Sequence, residues 1–128
     1  MHHLEKSIYT RAEQDRMCCS WLVIVEDLRA ENALLIRLLA SVLSTTATHE
    51  FVETAEGYQS RFLIVEEGLL LLRHEIGELR QWVKNKTKGL AGKLERMQDD
   101  IDKTELDFLT LRANFIKFAG VNTLDARS

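Results

Sequence analysis

The sequence predicts an all-α fold, an elongated antiparallel three-helix coiled-coil bundle, on three observations. The first is an unbroken seven-residue hydrophobic repeat in the middle of the chain. Phe51, Ala55, Tyr58, Phe62, Val65, Leu69, Leu72, Ile76, Leu79 and Val83 follow one another at alternating steps of four and three, the spacing by which one long helix packs on others. The second is the complete absence of proline from 128 residues, where average usage would supply about six, so no helix breaker interrupts the chain. The third is that similar seams stand on both sides of this segment, out of phase with one another. With 45% hydrophobic residues, residues 1–128 can bury a core as one domain without disulfides or metals.

The first helix is expected from about Leu4 to about Leu43. Its seam is Cys18, Trp21, Val25, Leu28, Asn32, Leu35, Leu39 and Val42. Projected backward it meets Gln14, Arg11 and Ser7 before Leu4, so the first turns are expected to add little to the core. Ser44, Thr45, Thr46, Ala47 and Thr48 then form a short, mostly polar turn of poor helix formers. Thr48 is placed to cap the next helix, and Glu50 falls in its first turn, where the helix dipole favours an acid.

The second helix is expected from about His49 to about Lys86. Two glycines and an asparagine between Lys84 and Gly92 predict a second turn. The seam resumes beyond it with Leu90, Leu94, Met97, Ile101, Thr104, Phe108, Leu111, Phe115 and Phe118, so the third helix is expected over about 90–118, with 119–128 as a frayed tail. Connections this short force neighbouring helices to run antiparallel.

Two seam positions are polar. Asn32 lies at an a position and Thr104 at a d position, where a buried amide or hydroxyl costs stability unless it finds a partner. The favoured reading is that these set the register and orientation of the bundle.

Charge and motif content narrow the function classes. Seventeen basic and twenty acidic residues give a net charge of −3, which argues against nucleic acid as a partner. The local basic run Lys84, Lys86, Lys88 and Lys93 reads as the favourable end of a helix dipole rather than a phosphate or anionic-lipid site. Cys18 and Cys19 are adjacent, project differently from a helix and read as reduced thiols. No N-terminal apolar segment with a cleavage site is present, and the apolar runs are too short and too interrupted by charge for a membrane span. A cytoplasmic location is the expectation.

Nothing points to catalysis. Each of His49 and His74 opens a His-Glu-x-x-Glu pattern, the reverse of the Glu-x-x-His spacing that builds carboxylate metal sites in bundles, and both fall outside the seam. His2 and His3 read as a solvated end. The acids Asp99, Asp100, Asp102, Glu105 and Asp107 lack the spacing of a calcium loop. No phosphate-binding glycine loop, Gly-x-Ser-x-Gly elbow or Cys-x-x-Cys pair occurs. No catalytic residue, cofactor or metal is therefore expected, and the chain reads as a non-enzyme.

One feature exceeds what a three-helix core requires. Leu63, Ile64, Leu70 and Leu71 lie on the side of the second helix away from its seam, and a cluster of large aliphatics there usually marks association. Trp82 is a candidate aromatic anchor at its edge. Gly57, Gly68 and Gly77 lie along the same helix and either permit close approach of another backbone or carry no function. Three explanations compete. The second helix is central with helices on both sides, the bundle forms a homodimer through this face, or the face receives another protein; a homodimer is the favoured one. Two readings of other classes stand beside it: a small-molecule or cofactor-binding bundle in which Asn32, Thr104 and Tyr58 converge on a cavity, and a membrane-surface helix protein, which the acidic balance weakens.

Overall fold

The structure is a computed structural model that describes residues 9–45 and 48–127, with side chains described through Gly120. Three helices follow in order: α1 (Arg11–Leu43), α2 (His49–Lys84) and α3 (Ala91–Arg127). They pack on one another as an up-down-up bundle. Asp15 near the start of α1 reaches Arg80 near the end of α2, so these two run antiparallel. Trp21 meets Gln98 and Glu31 meets Arg112, so α1 and α3 run parallel. At 36 residues, α2 is about 54 Å long.

The helix ends follow from local chemistry. Thr10 caps α1: its Oγ1 accepts from the Glu13 amide at 3.1 Å, and Glu13 Oε1 accepts from the Thr10 amide at 3.0 Å. This reciprocal box satisfies two amides that the first turn leaves unpaired. It also corrects the expected start near Leu4, since Tyr9 and Thr10 stand outside the helix; the segment from Leu4 to Ile8 lies outside the described residues. Thr48 caps α2 as expected, accepting from the Phe51 amide at 3.3 Å.

At the other end of α2, the Lys86 amide donates to the Val83 carbonyl and the Thr87 amide to the Trp82 carbonyl. These are the paired bonds of a Schellman stop. The residue after the cap must take a left-handed backbone there, and it is a lysine, Lys86, at φ 58°. Gly89, at φ 75°, completes the reversal into α3. The third helix runs on to Arg127 rather than ending at Phe118, and Ala119 continues its buried row.

All eight seam residues expected for α1 are buried. In α2 nine of the ten are buried, with Val65 half-buried. In α3 Leu90, Leu94, Met97, Ile101, Phe108 and Phe115 are buried, whereas Thr104, Leu111 and Phe118 are half-buried. The half-buried positions cluster where α2 faces α3. Most of the close helix-to-helix approach in the bundle lies instead between α1 and α2.

The end near the α1–α2 turn is aromatic. Phe51 stacks on Phe118 at 4.9 Å, and Tyr58 lies 5.3 Å from Phe115 and 5.2 Å from Phe118. Phe62 meets Phe115 edge to face at 5.0 Å. Such pairs add about 0.5–1.5 kcal/mol beyond the area they bury.

Candidate association surface

The side of α2 that faces α1 is closed by ion pairs. Arg29 Nε lies 2.7 Å from Glu66 Oε1, Arg80 Nε 2.9 Å from Asp15 Oδ1, and Arg73 3.3 Å from Glu26. Each is partly solvated and contributes up to about 1 kcal/mol. Together they fix which flank of α2 meets α1.

The face of α2 away from its seam is exposed, and one edge of it borders a groove against α3. Leu63, Ile64, Leu70 and Leu71 are 54, 66, 40 and 59% exposed, so no described part of the chain buries them. Among the described residues α1 and α3 leave this face exposed, which does not favour the explanation in which α2 is central with helices on both sides. The four residues form two parallel rows rather than one patch, because positions seven apart share a face and adjacent ones diverge by about 100°. Leu63 and Leu70 make one row; Ile64 and Leu71 make the other. Ile64 also rims a groove between α2 and α3 of about 390 Å³, floored by Val65, Leu69, Leu72, Phe108 and Leu111 and flanked by Arg61, Gly68 and Asp107. The groove continues toward the α2–α3 turn as a second stretch of about 350 Å³ with charged walls, lined by Glu75, Glu78, Arg96 and Asp100 among others.

Trp82 lies in that second stretch, half-buried, with Lys93 Nζ 5.2 Å from its ring centroid. Lys93 covers one face of its ring, and the indole forms part of the groove wall. Further apolar side chains are exposed on α1, at Val23, Leu34 and Leu38, and on α3, at Leu106, Leu109 and Ile116. Those on α3 were not singled out in the sequence; the seven-residue step from Leu109 to Ile116 is the signal that marks them.

The polar seam residues separate. Asn32 is fully buried, and its Nδ2 donates to the Phe62 carbonyl at 2.9 Å, while its Oδ1 is buried with no hydrogen-bond partner. Thr104 is half-buried on the wall of the groove, so its hydroxyl is not sealed in the core as a d position would have it. Tyr58 belongs to the aromatic cluster. Asn32 stands level with Phe62 in the core, whereas Thr104 lines the α2–α3 groove, which neither Asn32 nor Tyr58 lines.

The titratable groups follow their surroundings. Burial pushes the Cys18 thiol up to about 11, with the neighbouring Asp15 carboxylate and Cys19 adding to the rise. Cys19 is half-buried, its Sγ 3.9 Å from Asp15 Oδ2, and both cysteines are free thiols. His74 is exposed, with Nε2 3.5 Å from Glu78 Oε1. Among the described residues no three histidine, cysteine, aspartate or glutamate side chains are grouped as a metal site requires, and no helix is long and apolar enough to cross a membrane.

Compared with known proteins, this chain matches no protein family, no curated protein and no solved structure.

Proposed function

We propose that the protein is a non-enzymatic interaction and assembly module that self-associates through the outer face of α2. The observation that supports this reading is the exposure of Leu63, Ile64, Leu70 and Leu71, 40 to 66%, on a helix whose seam is otherwise buried. Their methyl and methylene groups remain in water in the single chain, and removing that area from water favours association by about 25 cal/mol per Å². A homodimer is the simplest assembly that covers such a face on every copy at once.

The test is absolute mass by light scattering on a size-exclusion column across a concentration series. The reading expects a dimer of about twice 14.7 kDa, and it expects Ile64→Glu combined with Leu71→Glu to give a folded monomer. A wild-type monomer at every concentration would overturn it. The small-molecule reading is not favoured, because the groove that Thr104 lines includes neither Asn32 nor Tyr58.

A further inference from the structure

The row on α2 that carries Ile64 and Leu71 is Arg61, Ile64, Gly68, Leu71 and Glu75, at steps of three, four, three and four, which keep all five on one face. About Gly68 the row is opposite in charge, with Ile64 four residues before the glycine and Leu71 three after it. Arg61 stands seven residues before the glycine and Glu75 seven after it, each about 10.5 Å along the axis. An aliphatic side chain lies between each charge and the glycine.

Neither charge has an ion-pair partner among the described residues. Among those residues every inter-helix ion pair of α2 is made on its α1 flank, by Glu66, Arg73 and Arg80. The Arg61 guanidinium lies over the Tyr58 ring, 5.3 Å from its centroid, at the rim of the groove. A Cβ added at Gly68 would meet nothing within 4 Å. The glycine therefore fills no need of the single chain, although it costs the helix about 1 kcal/mol relative to alanine.

We infer that α2 pairs with α2 of a second copy in antiparallel orientation about a two-fold axis at Gly68, with Arg61 of each copy facing Glu75 of the other. This rests on the self-association reading and adds its register and direction. Antiparallel pairing about Gly68 puts unlike charges opposite each other at both ends and sets Ile64 beside Leu71 of the second copy. A parallel two-fold pair would put arginine against arginine and glutamate against glutamate, which is destabilising. Gly68 at the axis lets the two backbones approach where they cross.

The experiment is a charge swap read by sedimentation equilibrium at low salt. Arg61→Glu alone, and Glu75→Arg alone, each place two like-charge pairs in the dimer and are expected to weaken it about tenfold to a hundredfold. The double variant Arg61→Glu with Glu75→Arg restores both pairs and is expected to dimerise within about threefold of wild type. An equimolar mixture of the two single variants is expected to form heterodimers, since each then supplies what the other lacks. Circular dichroism melts confirm that each variant folds. If the single variants dimerise like wild type while Ile64→Glu with Leu71→Glu gives monomers, the face is right and the register is overturned. If wild type does not dimerise at all, the self-association reading fails and the register with it.

Discussion

Asn32 on α1 donates its Nδ2 hydrogen to the carbonyl oxygen of Phe62 on α2 at 2.9 Å, and its own Oδ1 is sealed in the core without a partner. The donated bond reads one position of α2 from one position of α1, so it penalises any slip between the two helices. The orphaned oxygen is a cost, of about 1–3 kcal/mol for an unsatisfied buried acceptor.

Asn32→Leu should therefore raise the stability of the bundle by about 1–3 kcal/mol, since Phe62 keeps its place in the helical ladder and the orphan disappears. Urea titration at constant slope measures the gain. A mixed population of masses in the variant would show the loss of register control, and a simple fall in stability would exclude this role for Asn32.

Phe115 is fully buried between Tyr58 and Phe62. Truncation to alanine removes ring contacts on two sides and leaves a cavity, so Phe115→Ala should cost about 3–5 kcal/mol. The same titration reads it.

Lys86 holds a left-handed backbone at φ 58° that glycine adopts without strain. Lys86→Gly should stabilise the chain by about 1 kcal/mol, and Gly89→Ala, at φ 75°, should destabilise it by about the same amount. Opposite signs from two substitutions three residues apart are a sharp check by thermal melting.

Acid should weaken the fold. The Glu13 carboxyl is held below its ordinary 4.5 by the hydrogen bond from the Thr10 amide and then by the Thr10 hydroxyl, and Glu26 chiefly by Arg73 and then Arg29. A carboxyl with a lowered folded value stabilises fully above its unfolded value and loses that contribution as pH falls through the folded one. Stability should hold down to about pH 5 and decline below about pH 4.5, with a smaller decline in Glu13→Gln. Thr10→Ala, which removes the cap itself, should cost about 1 kcal/mol at neutral pH.

Thiol reagents should tell the two cysteines apart. Cys18 is buried with its thiol pushed up to about 11, so it should stay unmodified at pH 8 until the chain unfolds, while half-buried Cys19 reacts first. Mass spectrometry of tryptic peptides after timed alkylation assigns the sites.

The buried face of each helix was legible because a seven-residue repeat states it residue by residue, and along α1 every seam position from Cys18 to Val42 is buried. What the repeat does not encode is how closely two helices approach. Val65, Thr104 and Leu111 fit the seam, yet they are half-buried because the α2–α3 side is a groove rather than a closed interface. The start of α1 differs from the expected one for another reason: Thr10 and Glu13 form a capping box in plain sequence, and the weak backward continuation of the seam to Leu4 runs across it. The outer face of α2 was visible as a surplus of aliphatics; its division into two rows, one flanked by opposite charges, required knowing which flank α1 covers.

Because α1 and α3 run parallel with α2 returning between them, the start of α1 and the end of α3 stand at opposite poles of the rod. A pull applied between those poles cannot peel the helices apart one layer at a time, as it would in a two-helix hairpin whose ends lie together. It must slide the rows past each other, so all the buried layers resist at once. The two poles stand roughly the length of one helix apart, about 50 Å.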